Sequence, residues 1–148
     1  MSQIDIHFYD HPCWEGRSIR RITGTGFTHV VPCIGTAGFH IDRRTSRWVD
    51  INALHRVMPP KVTVSTSVPT CPIDLIEQMT EGLSMDVVDL SAWYRNRQQG
   101  LIRPMPDCCV SVVRDILALC GVRVDEGTPD ELYEQLRRRE SPAVPHHP

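Results

Sequence analysis

Asp107-Cys108-Cys109-Val110-Ser111-Val112-Val113-Arg114-Asp115-Ile116-Leu117-Ala118-Leu119-Cys120-Gly121 reads as one buried helix with a thiol in its first turn. Pro106 and Asp107 supply the start, because proline limits what precedes and the Asp107 carboxylate can cap the first free N–H groups. Gly121 supplies the stop, because glycine tolerates the left-handed conformation that ends helices. Counted from Cys109, apolar residues recur at Val112, Val113, Ile116 and Cys120, which is helical spacing. Cys109 therefore sits at the edge of the face turned to the core. The positive end of the helix dipole favours thiolate there, and thiolate is the nucleophilic form. Against this stands a plainer explanation: cysteine is a common buried residue, and two in a row carry no chemistry by themselves.

The composition narrows the possible functions. The chain has 148 residues, of which 41% are hydrophobic, enough for one domain with its own core. A net charge of -2 argues against a general nucleic-acid binder. No apolar run approaches membrane-spanning length, so no membrane span is expected. Asp5, His7 and Asp10 interrupt any signal-peptide core, which implies cytoplasmic synthesis without a signal peptide. Six cysteines without an export signal are read as free thiols. No C-x-x-C pair occurs, so neither a structural metal nor another cofactor is expected.

Upstream of the cysteine helix the chain alternates between strand and helix signals. Ile4–Tyr9 reads as a strand, and Trp14–Ile22 as a short helix broken by Gly24-Thr25-Gly26. Phe27–Ile34 is β-branched and apolar. Gly35–Gly38 is a turn, and Phe39–Asp42 pairs back as a hairpin strand. Trp48–Ile51 suggests a short strand, with a turn or helical turn over Asn52–His55 that leaves His55 in an exposed loop. Lys61–Thr66 alternates as a strand. Pro72 opens a helix from Ile73 to Glu81, ended by Gly82, and Met85–Tyr94 suggests another. Asn96–Pro106 is a polar connection, and Val122–Val124 suggests a short edge strand. Thr128-Pro129-Asp130-Glu131 opens a last helix, with Leu132, Tyr133 and Leu136 docking it. The expected organisation is a single domain over 1–139 and a flexible tail over 140–148.

The hairpin carries the other polar groups of interest. Alternation puts His29, Val31 and Cys33 on one face of its first strand, and His40 with Asp42 on one face of the second. Two histidines on strands joined by a tight turn can stand side by side. A histidine bonded to a second polar group has its ring and tautomer held, as a general base requires. A surface hairpin with two solvated histidines is the competing explanation.

Taken together, these pieces resemble the circularly permuted papain-like cysteine hydrolases, the permuted branch of the NlpC-type superfamily that includes the lecithin retinol acyltransferase-like enzymes and phage proteins. Phe27-Thr28-His29-Val30-Val31 is similar to that family's aromatic-Ser/Thr-His-Val strand. Cys109-Val110-Ser111-Val112-Val113-Arg114 is similar to its Cys-x-x-aromatic-Val helix start, with Val112 where an aromatic is common. Ser18–Gly24 resembles the segment leading into the histidine strand, and Thr128–Tyr133 the closing helix. The likeness runs over most of residues 14–136. It implies an α+β, papain-like fold: a small antiparallel sheet packed against a central cysteine-bearing helix and further helices. It also implies Cys109 as nucleophile, His29 as general base and His40 as the third, orienting member. Asp42 competes for that third place, and the double cysteine makes Cys108 the alternative nucleophile.

The implied chemistry is attack by Cys109 on a carbonyl carbon, an acyl-enzyme thioester, and release to water or another acceptor. The partner is then a peptide or acyl substrate, cell-wall peptide among them. The rival expectation is a catalytically inactive papain-like component of a phage virion or tail, whose partners are other virion proteins. A third expectation is metal binding by His7, His11 and Cys13, or by His29 and His40 with Cys109.

Overall fold

The computed structural model describes residues 2–10, 20, 24, 26–42 and 46–140. Its centre is a five-stranded sheet in the order β4-β3-β2-β1-β5, antiparallel at every pairing. The strands are β1 Ser2–Tyr9, β2 His29–Ile34, β3 Ala37–Ile41, β4 Ser46–Asp50 and β5 Val62–Val68. The helices are α1 Ile51–Val57, α2 Ile73–Thr80, α3 Val87–Gln98, α4 Cys109–Leu119 and α5 Pro129–Glu140. This is an α+β architecture with a small antiparallel sheet, as expected.

Period-two alternation gives the sheet two unlike faces. Ile4, Ile6 and Phe8 of β1, Val30 of β2, Phe39 and Ile41 of β3, and Val64 and Val68 of β5 join the main core with α4 and α5. There α4 packs on β2 and α5 on β5. The opposite face holds a smaller cluster of Tyr9, Val31, Cys33, Ile51 and Met58, which α1 covers. Gly38 makes that cover possible. A Cβ at Gly38 would lie 3.0 Å from both Ile51 Cδ1 and Val31 Cγ1. Gly35, at φ +61, takes the first place of the two-residue turn between Ile34 and Ala37, where the hairpin twist calls for a positive φ.

Capping explains where the helices begin, and it departs from expectation at the cysteine helix. Cys108, not Asp107, is the N-cap of α4. Its N–H donates to Ser111 Oγ at 2.8 Å, while the Ser111 N–H reaches Cys108 Sγ at 3.5 Å. The stop is as expected. Gly121 adopts φ +88, the Val122 N–H reaches the Leu117 carbonyl at 2.8 Å and the Gly121 N–H that of Ala118 at 3.1 Å. That is a Schellman ending, with Val122 and Leu117 both buried beneath it.

Other differences are shifts of boundary with local causes. Asp86 Oδ1 accepts from the Val88 and Asp89 N–H groups, and α3 runs on to Gln98, absorbing the start of the polar stretch read as a connection. Asp50 Oδ1 accepts from the Asn52 N–H and opens a seven-residue helix, α1, where a turn or helical turn over Asn52–His55 was expected. Asp42 falls just outside β3, and Val122–Val124 belongs to no strand, with Val122 and Val124 buried and Arg123 exposed. Thr128 and Glu131 exchange bonds as anticipated: Thr128 Oγ1 accepts from the Glu131 N–H at 3.1 Å, and Glu131 Oε1 from the Thr128 N–H at 2.9 Å. Tyr133 docks between Phe8 and Phe27, with ring centroids at 5.4 and 5.2 Å. Helix α5 includes Glu140, so the expected tail loses its first residue, and 141–148 lie outside the described residues. The helix expected over 14–22, with His11 and Cys13, also falls largely outside them.

Candidate functional site

The cysteine side of the site is built by the first turn of α4. Cys108 is turned back onto its own helix by the cap. Cys109, the first helical residue, joins the core cluster beside Val30 of β2, and the backbone N–H groups of Val30, Val110 and Cys109 itself favour its charged form. Of the adjacent thiols, Cys109 is thus the one in contact with the histidine strand. These three dipoles favour thiolate, as the dipole argument anticipates. They are outweighed. Burial, reinforced by the neighbouring Cys108, pushes the Cys109 thiol up to about 12. Cys109 is only 4% exposed, and the desolvation of a charged sulfur exceeds what three N–H groups return. Burial thus outweighs the dipole at this sulfur. Burial raises Cys108 as well, against its bonds with Ser111. Tyr94 lies near both sulfurs, its hydroxyl donating to the Gly127 carbonyl at 3.3 Å; no sequence motif marked it.

The histidine side is built by the open end of the β2–β3 hairpin. Close to the turn the strands pair at Cys33↔Gly38 and Ile34↔Ala37. Farther out, side chains take over. His29 Nε2 lies 3.1 Å from His40 Nδ1, with the two rings T-shaped. His40 Nε2 lies 3.4 Å from Asp42 Oδ2. His40 and Asp42 are therefore arranged in series behind His29, where the sequence left them as competitors. With both rings neutral, the series takes one proton order. Asp42 as carboxylate accepts from His40 Nε2–H, His40 Nδ1 then accepts, and His29 carries its proton on Nε2. On neutral His29 the basic nitrogen is then Nδ1.

This face of the sheet carries a longer polar row than the sequence suggested. The Tyr9 ring lies 5.9 Å from that of His29, and its hydroxyl meets His55 Nε2 at 2.9 Å. His55 stands edge-on to His7 at 4.6 Å, and His7 Nδ1 meets Thr63 Oγ1 at 2.7 Å. His55 is thus a half-buried helical residue, not the exposed loop residue expected. The signal was present: Ile51, Leu54, His55 and Met58 follow helical spacing. Burial, then His55, lowers the pKa of His7 against the pull of Asp5, and burial lowers that of His55.

The two halves meet at one peptide group. The Val30 N–H that favours the Cys109 thiolate belongs to the peptide joining His29 to Val30. Alternation turns the Val30 side chain into the main core with Cys109, and the His29 ring toward Tyr9. The His29 ring and the Cys109 sulfur are thus turned to opposite faces of the sheet at the first residue of β2.

No protein-family model matches the chain, and no curated protein matches it. Among the described residues no three His, Cys, Asp or Glu side chains form a group able to hold a metal ion, which includes the His29, His40 and Cys109 set. His7 is engaged by Thr63 instead, and His11 and Cys13 lie outside the described residues. Among the described residues no helix is long and apolar enough to cross a membrane.

Proposed function

We propose that the chain is a cysteine hydrolase or acyl-transfer enzyme of the permuted papain-like, NlpC type. Its substrate class is an amide or ester of a peptide or acyl group, with cell-wall peptide bonds among the candidates for a phage or bacterial protein. The observation that carries the reading is the His29–His40–Asp42 series, with His29 next in sequence to Val30, whose N–H favours the charged form of Cys109. Because Cys109 rests protonated, the mechanism is general-base assistance rather than a standing ion pair. His29 Nδ1 takes the thiol proton as sulfur attacks the carbonyl carbon, and the imidazolium is steadied by His40 and Asp42. The N–H groups of Cys109 and Val110, at the helix start, are the donors for the oxyanion. The thioester on Cys109 is then released to water or to an acceptor amine or alcohol.

The test is acyl trapping. Incubation with p-nitrophenyl acetate is expected to give a p-nitrophenolate burst and an acetyl group on Cys109. Cys109→Ala abolishes both, and His29→Ala slows the burst by about 10²–10⁴-fold. Acetylation spread over other residues, at a rate both variants share with wild type, rejects the reading.

A second reading is favoured by one observation, the burial of Cys109 with its thiol held near 12. On it the chain is a catalytically inactive papain-like component of a phage virion or tail. Absence of the burst, together with a Cys109→Ala variant that assembles as wild type does, supports that alternative.

A further inference from the structure

A second pair of thiols lies at the far end of the cysteine helix. Cys120 is the C-cap residue of α4 and is fully buried. Cys71 lies in the Pro69-Thr70-Cys71-Pro72 connection between β5 and α2, and it is half-buried against the main core. Two independent contacts bring these segments together. Cys71 packs against the core cluster that contains Cys120 and, after burial, is what raises the Cys120 thiol to about 11. Beside them, Pro69 packs so closely on Gly121 that a Cβ there would lie 3.3 Å from Pro69 Cγ. The prolines at 69 and 72 restrict the connection, and the Schellman ending fixes the other partner. The two segments that carry the thiols are therefore held side by side before any bond forms between them.

We infer that Cys71 and Cys120 form a reversible disulfide that staples the last turn of the cysteine helix to the exit of β5. The oxidant class is a small-molecule disulfide such as oxidised glutathione. Cys71, the more accessible thiol, attacks one sulfur of that disulfide as thiolate and expels one glutathione thiolate. Cys120 gives its proton to water and attacks the Cys71 sulfur, expelling the second. Two protein thiols are oxidised, and one glutathione disulfide is reduced to two glutathione thiols. Access orders the steps, since oxidant reaches Cys71 first and the buried Cys120 acts as the resolving thiol. The inference does not depend on the hydrolase reading, because neither residue belongs to the Cys109 site.

The experiment uses the full chain in its native state, incubated with oxidised and reduced glutathione, acid-quenched, alkylated and mapped by mass spectrometry. The expected result is a Cys71–Cys120 linked peptide short of two hydrogens, while Cys33, Cys108 and Cys109 remain alkylatable after unfolding. Dithiothreitol reverses the link. Cys71→Ser removes it without disturbing the buried partner, and serves if Cys120→Ser fails to fold. In urea the selectivity for this pair is lost, because the pre-positioning is gone. Cys71 held only as a mixed disulfide, pairing with other cysteines in the native protein, or both thiols free under oxidising glutathione would each overturn the inference.

Discussion

The imidazoles of His29 and His40 meet Nε2 to Nδ1 at 3.1 Å, so only one of the two nitrogens carries the shared proton. With Asp42 behind His40, that proton belongs to His29 Nε2. Nitrogen-15 NMR of the ring nitrogens checks this directly: the neutral form of His29 is expected as the Nε2–H tautomer, with Nδ1 unprotonated. His40→Ala should mix the two tautomers, and Asp42→Asn should weaken the preference less. A wild-type His29 found as the Nδ1–H tautomer removes the base from the proposed mechanism.

Burial decides the behaviour of Cys109. With the thiol pushed up to about 12 from an ordinary value near 9, its thiolate fraction at neutral pH falls about 10³-fold below that of a free thiol. Iodoacetamide should accordingly modify native Cys109 on the order of 10³-fold more slowly than a model thiol, unless a bound substrate brings His29 into play. The same shift sets a sign for stability. Above about pH 9 the unfolded chain releases this proton and the folded chain keeps it. The folded state thus loses stability as pH rises from about 9 toward 12. Cys109→Ala should flatten that alkaline decline in urea unfolding. A decline equally steep in the variant would mean that other groups govern it.

The close seat of α1 makes Gly38 sensitive to size. A methyl at Gly38 meets Ile51 Cδ1 and Val31 Cγ1 at 3.0 Å, tighter than van der Waals contact allows. Gly38→Ala should destabilise by about 1–3 kcal/mol through overpacking. Ile51→Val removes one of the two obstructing groups. The double variant should therefore fall short of the sum of the single losses in a thermodynamic cycle. Strict additivity would show that the helix simply shifts aside.

Thr66 offers a test of opposite sign. Its hydroxyl is fully buried and, among the described residues, without a hydrogen-bond partner. It sits on β5 opposite Ile4, an apolar member of the main core. Valine keeps the β-branched shape and removes the unsatisfied group. Thr66→Val is expected to stabilise by about 1 kcal/mol. A loss of stability on that change would reveal a partner for the hydroxyl.

How far these features could be read from residues alone depends on whether the signal was local. The strand candidates around Ile6, Val30 and Val64 were legible because their alternation feeds a single buried face. The end of α4 was legible because Gly121 announces it. Thr128 and Glu131 announced α5 through their three-residue spacing. The cap of α4 was not legible, because Asp107 is the better capping residue by type, and only the folded turn shows Cys108 bonded to Ser111. The His29–His40 pairing followed from strand arithmetic. The placing of Asp42 behind His40 depended on how the hairpin opens beyond Cys33, which no local pattern encodes. The strength of burial at Cys109 was not legible for a related reason. The dipole is a property of the helix, whereas desolvation comes from β2 and the residues packed around the sulfur.

Glu131 gives the acid side of the stability profile. Arg97 grips its carboxylate with both terminal nitrogens, at 2.7 and 2.9 Å, and the Thr128 N–H adds a third bond. Led by the Arg97 bond, these contacts lower the Glu131 carboxyl to about 2. The sign follows from proton uptake. In the unfolded chain the group takes up its proton near pH 4.5, in the folded chain only near 2. The stability it lends is complete above about pH 4.5 and is lost as pH falls toward 2. Both side chains are more than 40% exposed, and solvent screening limits the contribution to about 1 kcal/mol. Glu131→Gln should therefore lower stability at pH 7 by about that amount, while leaving it nearly unchanged at pH 2. Arg97→Met tests the same pair from the other side and also removes the guanidinium that lies 5.7 Å from the Trp93 ring centroid. Its loss should exceed that of Glu131→Gln, and the excess should persist at pH 2, where the carboxylate no longer matters. Equal losses at both pH values for Glu131→Gln would assign the effect to the helix cap instead of the ion pair.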